Sequence, residues 1–399
     1  MISNEAKNKK AKKYLKKIKK EEVLQLIFGY IKYNKTINII RYNKNIQKKM
    51  NKDIKDYKNY KNEYFKIVIE IIPISINPKK KESGKFINIM ENTKKYFHIY
   101  FNGNELETKR NTIYQTDKIK KIKIIVDGGS HILDLRGLFK KCRCIETIDF
   151  VQFNRDDITD MSDMFNSCTS LKKLYISRLK TNNVKFMINM FSNCTSLKEI
   201  DLTNFNTKNV EKMNYMFAKS SSLIKIVFPF FHNLVLQDIS HMFSGCSSLK
   251  ILDLSLFVTY NVKKMDFVFY GCNSLEYINL RGFQTGQTES MNNMFSNCKN
   301  IKEINLKNFV IDSVIDMSSM FSGCSELKEL DLSSFNNKKV KEMSYMFYNC
   351  SSLKKINLKN FETKRNTNID NIFLGCSSLE TIECPDQLII KQFEKILIK

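Results

Sequence analysis

The chain has 399 residues, 42% of them hydrophobic and 27% charged, with a formal net charge of +25, no Trp and only three Ala. That composition is ordinary for a soluble protein and offers core enough for two or three domains or one long repeat array, but no run of about 18 apolar residues that would span a bilayer. The surplus of Lys, Asn, Ile, Phe and Tyr is what A+T-rich codons specify, so the net charge alone says little about partners. Residues 1–62 carry 19 Lys/Arg against 5 Asp/Glu, and the remainder carries 47 against 36. The block "KNKKAKKYLKKIKK" (Lys7 to Lys20) has two readings: weak contact of residues 1–20 with nucleic acid or an anionic membrane, or a solvated terminus. The first 20 residues lack the apolar core of a secretory signal, which predicts a cytoplasmic protein whose eleven cysteines stay reduced; the cell surface is the alternative.

Within residues 1–62, "VLQLIFGYI" and "TINIIRYNKNIQKKM" have helical spacing and predict a basic helical segment. The signal then turns to strands, "FKIVIEIIPISI", "KFINIM", "YFHIYFNG" and "IKKIKIIVDGG", separated by Asn and Gly turns. Residues 63–130 are therefore predicted to be a small β-rich region that caps the long repetitive segment beginning at residue 131.

From residue 131 to 387 the chain repeats. A Phe recurs at 139, 165, 191, 217, 243, 269, 295, 321, 347 and 373, always 26 residues apart. Fixed length with no insertion predicts about ten turns of a solenoid, because an added residue would move every later side chain out of its file. In the unit from Leu197, the pattern Leu197, Ile200, Leu202 predicts a short strand of a parallel sheet. Val210, Met213, Met216 and Phe217 fall at helical spacing and predict a short helix. At residues 366–387 the columns fail, and "QLIIKQFEKILIK" predicts a capping helix over 388–399. The expected fold class is an α/β solenoid: a right-handed leucine-rich-repeat array of strand–turn–helix units.

The stretch "MFSNCTSLKEIDLTNFNTKNVEKMNYMF" (Met190 to Phe217) resembles the BspA-like branch of the leucine-rich repeats, and the likeness recurs through nearly all ten units. That resemblance implies a solenoid used for adhesion or protein binding, with no catalytic residues to carry over. Secreted members have a signal peptide that this sequence does not show, so an adhesin exported by an unrecognised route is an alternative. A short helical segment before leucine-rich repeats is also similar to the F-box arrangement of ubiquitin-ligase substrate adaptors, although no proline-led start is present.

Nine cysteines, 142, 168, 194, 246, 272, 298, 324, 350 and 376, stand three residues after the repeat Phe, and Ser220 takes the tenth place. A linear file cannot converge four ligands on zinc, and parallel side chains disfavour disulfides, so buried reduced packing thiols are expected. His98, His131, His232 and His241 are scattered and show no helical metal pairing. The chain contains none of the glycine-rich phosphate loops or the nucleophile elbow. No catalytic group, cofactor, metal or small-molecule substrate is expected, and the predicted role is a non-catalytic scaffold whose concave strand face binds protein. One unit departs from the polar pattern of that face. "LIKIVFPFFHNLVLQ" presents Ile224, Val227, Pro229 and Phe230, its neighbours add Ile251, Leu256 and Tyr277, and the seven form the candidate protein-binding patch.

Overall fold

The computed structural model describes residues 66–398 apart from 75–82, 115, 128–131, 133 and 232, together with Lys44 and Lys48. The chain divides into two units, Met1–Lys66 and Ile67–Lys399. The predicted helical segment 1–62, the F-box-like comparison and the basic block 1–20 lie outside the described residues, save Lys44 and Lys48, which are helical.

The second unit opens with β1 (Ile67–Pro73), β2 (Ser83–Lys85), a 3-10 turn (Glu91–Tyr96), β3 (Phe97–Phe101), β4 (Thr112–Tyr114), β5 (Ile122–Val126) and β6 (Ile145–Phe153). β-Branched residues dominate β1 (IVIEIIP) and β5 (IKIIV), and β1 lies antiparallel between β5 and β6. β6 then pairs in parallel with β7 (Lys173–Tyr175), so one sheet runs β3-β5-β1-β6-β7. The open edge that the first coil would present is thereby consumed by the small β region. The later rungs carry β8 (Glu199–Asp201), β9 (Lys225–Val227), β10 (Ile251–Asp253), β11 (Tyr277–Asn279), β12 (Glu329–Asp331), β13 (Lys355–Asn357) and β14 (Thr381–Glu383). Pairing between them is parallel and in step with the repeat: Ile251 opposite Tyr277, Glu329 opposite Lys355.

Opposite the strands, where the spacing predicts a helix, there is none; each coil is closed by consecutive tight turns. Met187, Asn189, Phe191 and Asn193 donate their N–H groups to the carbonyls of Lys212, Asn214, Met216 and Ala218 on the next rung, whereas Met190 and Ser192 donate three residues back. Alternate N–H groups thus leave the coil, and a helix needs every one of them within it. Asn189 and Asn193 are also in the left-handed region, at φ 55° and 58°, which interrupts any helical run. Serial turns place apolar side chains every third residue, as a helix does, and the two are indistinguishable by spacing alone. The turns form a second narrow parallel ladder, in which Asp134, Asp160, Phe186, Lys212 and their equivalents through Asn368 bridge one to the next. This unit is a β-solenoid of about nine turns, where about ten were expected, and helix is confined among its described residues to α1 (Gln387–Leu397) and the 3-10 turn.

Between the two ladders lies a dry core of files. The repeat Phe rings from Phe139 to Phe373 stack nearly parallel, with centroids 5.2 to 5.8 Å apart. At the far end Phe393 of α1 closes the file edge-on at 6.4 Å. Asp386 caps α1 by accepting from the N–H groups of Leu388 and Ile389, and it also accepts from the backbone and hydroxyl of Thr363, which pins the cap to the preceding turn.

Candidate interaction surface

All eleven cysteines are free thiols, and ten are buried. The spacing of the file gives each thiol a partner: Cys194 Sγ donates to the carbonyl of Phe165 at 3.1 Å, Cys272 to that of Phe243 at 3.2 Å, and Cys376 to that of Phe347 at 2.9 Å. Ser220 makes the same bond to Phe191 at 2.7 Å. Burial pushes the thiols of Cys194, Cys272 and Cys324 up to about 12, which makes them poor nucleophiles. Their spacing marks these thiols as packing groups; each of those three is also a second donor to a carbonyl 29 residues earlier, which already accepts a backbone N–H from its own rung.

His98 lies between two carboxylates, Nδ1 3.3 Å from Glu107 and Nε2 3.2 Å from Asp127. His241 is stacked between Tyr215 at 4.3 Å and Phe267 at 4.6 Å, and burial depresses its basicity against the pull of Asp266 and Asp238. His131 and His232 lie outside the described residues. Among the described residues no three His, Cys, Asp or Glu side chains are placed to hold a metal ion. No described helix is long and apolar enough to cross a membrane.

The seven predicted patch residues separate into three groups. Ile224, Phe230, Ile251, Leu256 and Tyr277 are exposed, Phe230 to 74% and Ile251 to 65%. Val227 is half-buried, and Pro229, expected at the surface, is buried. Pro229 turns inward because Phe228 on one side and Phe231 on the other are drawn into the core: Phe228 packs edge-on against Phe217, Phe243 and Phe257, and Phe231 stacks on Phe257 at 4.0 Å. Parallel pairing brings Ile251 and Tyr277 together on the strand face. The bridge between Phe231 and Phe257 places Phe230 and Leu256 at matching points of adjacent rungs. That column ends at Gly282, where a Cβ would lie only 2.7 to 2.8 Å from the carbonyl oxygens of Ser255, Leu254 and Phe257.

Beyond the predicted set, the corner that follows the strand exposes Leu234, Val235 and Tyr260. The signal was available in the repeat: Leu234 and Tyr260 occupy a column filled by Asn182 and Lys208 in earlier units, and Val235 stands where Asn183, Asn209 and Asn261 recur. Those asparagines donate across the rungs to the carbonyls of Asp156, Asn182 and Leu234. At Val235 the series breaks, so the Lys208 carbonyl has no such donor. An open groove of about 540 Å³ runs beside the break, lined by Asn183, Lys185, Asn209, Glu211, Val235 and Gln237.

Files of apolar side chains between two parallel ladders, with side chains displayed on a strand face, define a β-solenoid repeat protein. The family described as "Mycoplasma protein of unknown function, DUF285" matches residues 133–230, 237–329 and 263–383, together more than half of the chain, and the chain belongs to that family. Among solved structures, it is similar to a leucine-rich repeat protein from Bacteroides ovatus ATCC 8483 at 22% identity and a TM-score of 0.37, over 67% of this chain and 66% of that one. It is also similar to the chain in a TLR13–ssRNA13 complex at 15% identity and a TM-score of 0.16, over 51% of this chain and 45% of that one. The alignments thus span just under two thirds of the first of these structures and less than half of the second. No curated protein matches.

Proposed function

We propose that this chain is a non-catalytic, cytoplasmic scaffold of BspA-like type that binds a protein partner on its strand face and the adjoining corner. The observation that supports the reading is the concentration of exposed apolar side chains on the β9 to β11 rungs: Ile251 and Tyr277 stand where other rungs carry Glu199 or Glu303, and Phe230 and Leu256 where other rungs carry Asn204 or Asn308. A contiguous apolar area in an otherwise polar face marks an interaction site, and large aromatic and aliphatic side chains supply most of the energy of such contacts. No enzymatic role is proposed, since the buried thiols are engaged and the described histidines are tied into pairs and stacks.

The test is affinity capture from the native cell with wild type and with the double variant Phe230→Asp/Ile251→Asp. Both substitutions fall on exposed side chains, so the variant is expected to melt like wild type while losing the partners that wild type retains. A folded double variant that captures the same proteins rejects the reading.

A further inference from the structure

We propose that the corner following the strands of the β7 to β11 rungs is a docking track for an extended acidic peptide carrying large apolar side chains; the proposal rests on the scaffold reading above and names its partner's chemistry. The centre of the track is apolar. Phe230, Leu234 and Val235 on the β9 rung are exposed to 74%, 55% and 42%, and Leu256 and Tyr260 on the β10 rung to 54% and 57%. Its charge is one-sided. Across five successive rungs, residues 177–183, 203–209, 229–235, 255–261 and 281–287 contain Arg178, Lys180, Lys208 and Arg281 and no Asp or Glu. These four cations are exposed. Arg178 donates to the Val151 carbonyl, and none of the four is paired with a carboxylate among the described residues. Glu211, at the edge of the groove, is taken up by Lys185 at 3.1 Å.

Geometry sets the length of the occupant. Five rungs about 4.8 Å apart span roughly 19 Å, the reach of about six residues of extended chain. The Lys208 carbonyl, left without an asparagine donor where Val235 interrupts the series, is placed to accept an N–H from such a chain. A second copy of this protein fits less well, because five side chains fall short of the roughly 800 Å² per partner of a stable interface and two copies of formal charge +25 repel. A nucleic acid fits less well too: single-strand binding relies on a continuous cationic groove and a run of stacking rings, and here the cations are separated by the apolar β9 and β10 rungs and two of the five central side chains, Phe230 and Tyr260, are rings.

The experiment is selection of a random-peptide display library on the full chain and on the double variant Leu234→Asp/Tyr260→Asp, whose substitutions are at exposed positions and whose melting temperature is checked first. Wild type is expected to enrich short sequences mixing Asp or Glu with Leu, Phe or Tyr. A synthetic copy of an enriched peptide should bind wild type at least tenfold more tightly than the variant, and more weakly as salt is raised. Enrichment of basic or neutral sequences, no enrichment, undiminished binding to the variant, or tighter binding of an oligothymidylate probe overturns the proposal. If Phe230→Asp/Ile251→Asp loses its cellular partners while Leu234→Asp/Tyr260→Asp still binds the peptide, the corner is excluded and the scaffold reading stands. Cellular capture untouched by Phe230→Asp/Ile251→Asp rejects the scaffold reading itself.

Discussion

A thiol three residues after a repeat Phe does a job that a hydrocarbon cannot, because the carbonyl it reaches lies in the dry interior. Replacing Cys272 with Ala removes the second donor to the Phe243 carbonyl, which keeps the Cys246 N–H at 3.0 Å, and leaves a small void, and the expected loss is about 1–3 kcal/mol in a urea-unfolding measurement. Cys272→Ser should recover most of that loss, since Ser220 already makes the equivalent bond two rungs earlier. The same file predicts alkaline sensitivity. An unfolded thiol titrates near 9.0, and burial raises Cys194, Cys272 and Cys324 to about 12 in the folded protein. The folded state therefore holds protons that the unfolded state gives up, so this stabilisation is complete below about pH 9 and is lost as pH rises toward 12. Each such thiol contributes roughly 1.4 kcal/mol per pH unit within that window, so the melting temperature should fall steeply there. Cys272→Ser should make the fall shallower by one proton's share; an unchanged slope would mean that the thiols are not held protonated.

At the scale of the element, α1 illustrates how a terminal rung is sealed. Burial alone would raise the Asp386 carboxyl, yet hydrogen bonds from Thr363, Ile389 and Leu388 outweigh it and hold the group below its usual range. Its contribution is present above the ordinary Asp range and is lost as pH falls through the depressed value. Asp386→Ala is expected to cost about 1–2 kcal/mol, and amide exchange should accelerate first in Gln387–Leu397 and around Thr363. The coil opposite the strands carries the contrary lesson: its apolar spacing suits both a helix and a string of turns. The choice falls to the turns because the next rung offers carbonyls to every second N–H, an option that exists only once the rungs are stacked.

For the whole solenoid, each rung is a neighbour-dependent unit, and the two ends are where that dependence is exposed. Truncation after Pro385 should uncover the β14 edge and the Phe373 ring together. The expected result is a lowered melting temperature and concentration-dependent light scattering, in contrast to the local fraying of Asp386→Ala. A truncated chain that melts like wild type and stays monomeric would show that α1 is not the seal. At the opposite end, β6 resolves the same problem by pairing antiparallel with β1 and parallel with β7.

Legible in the residues were the length of the units, the parallel strands, the inward columns, the unreactive thiol file, the β-rich start, the closing helix and the departure of one unit from the polar pattern. All of the repeat features among these stem from a period of 26, because stacking identical lengths forces like positions into register. The absence of repeat helices, the inward fold of Pro229 and the donor role of the thiols were decided by tertiary structure. In each case the deciding partner is a backbone group or ring on another rung, at a distance from the residue that a linear pattern does not encode: a carbonyl 29 residues back for Cys272, an aromatic ring 26 residues ahead for Phe231.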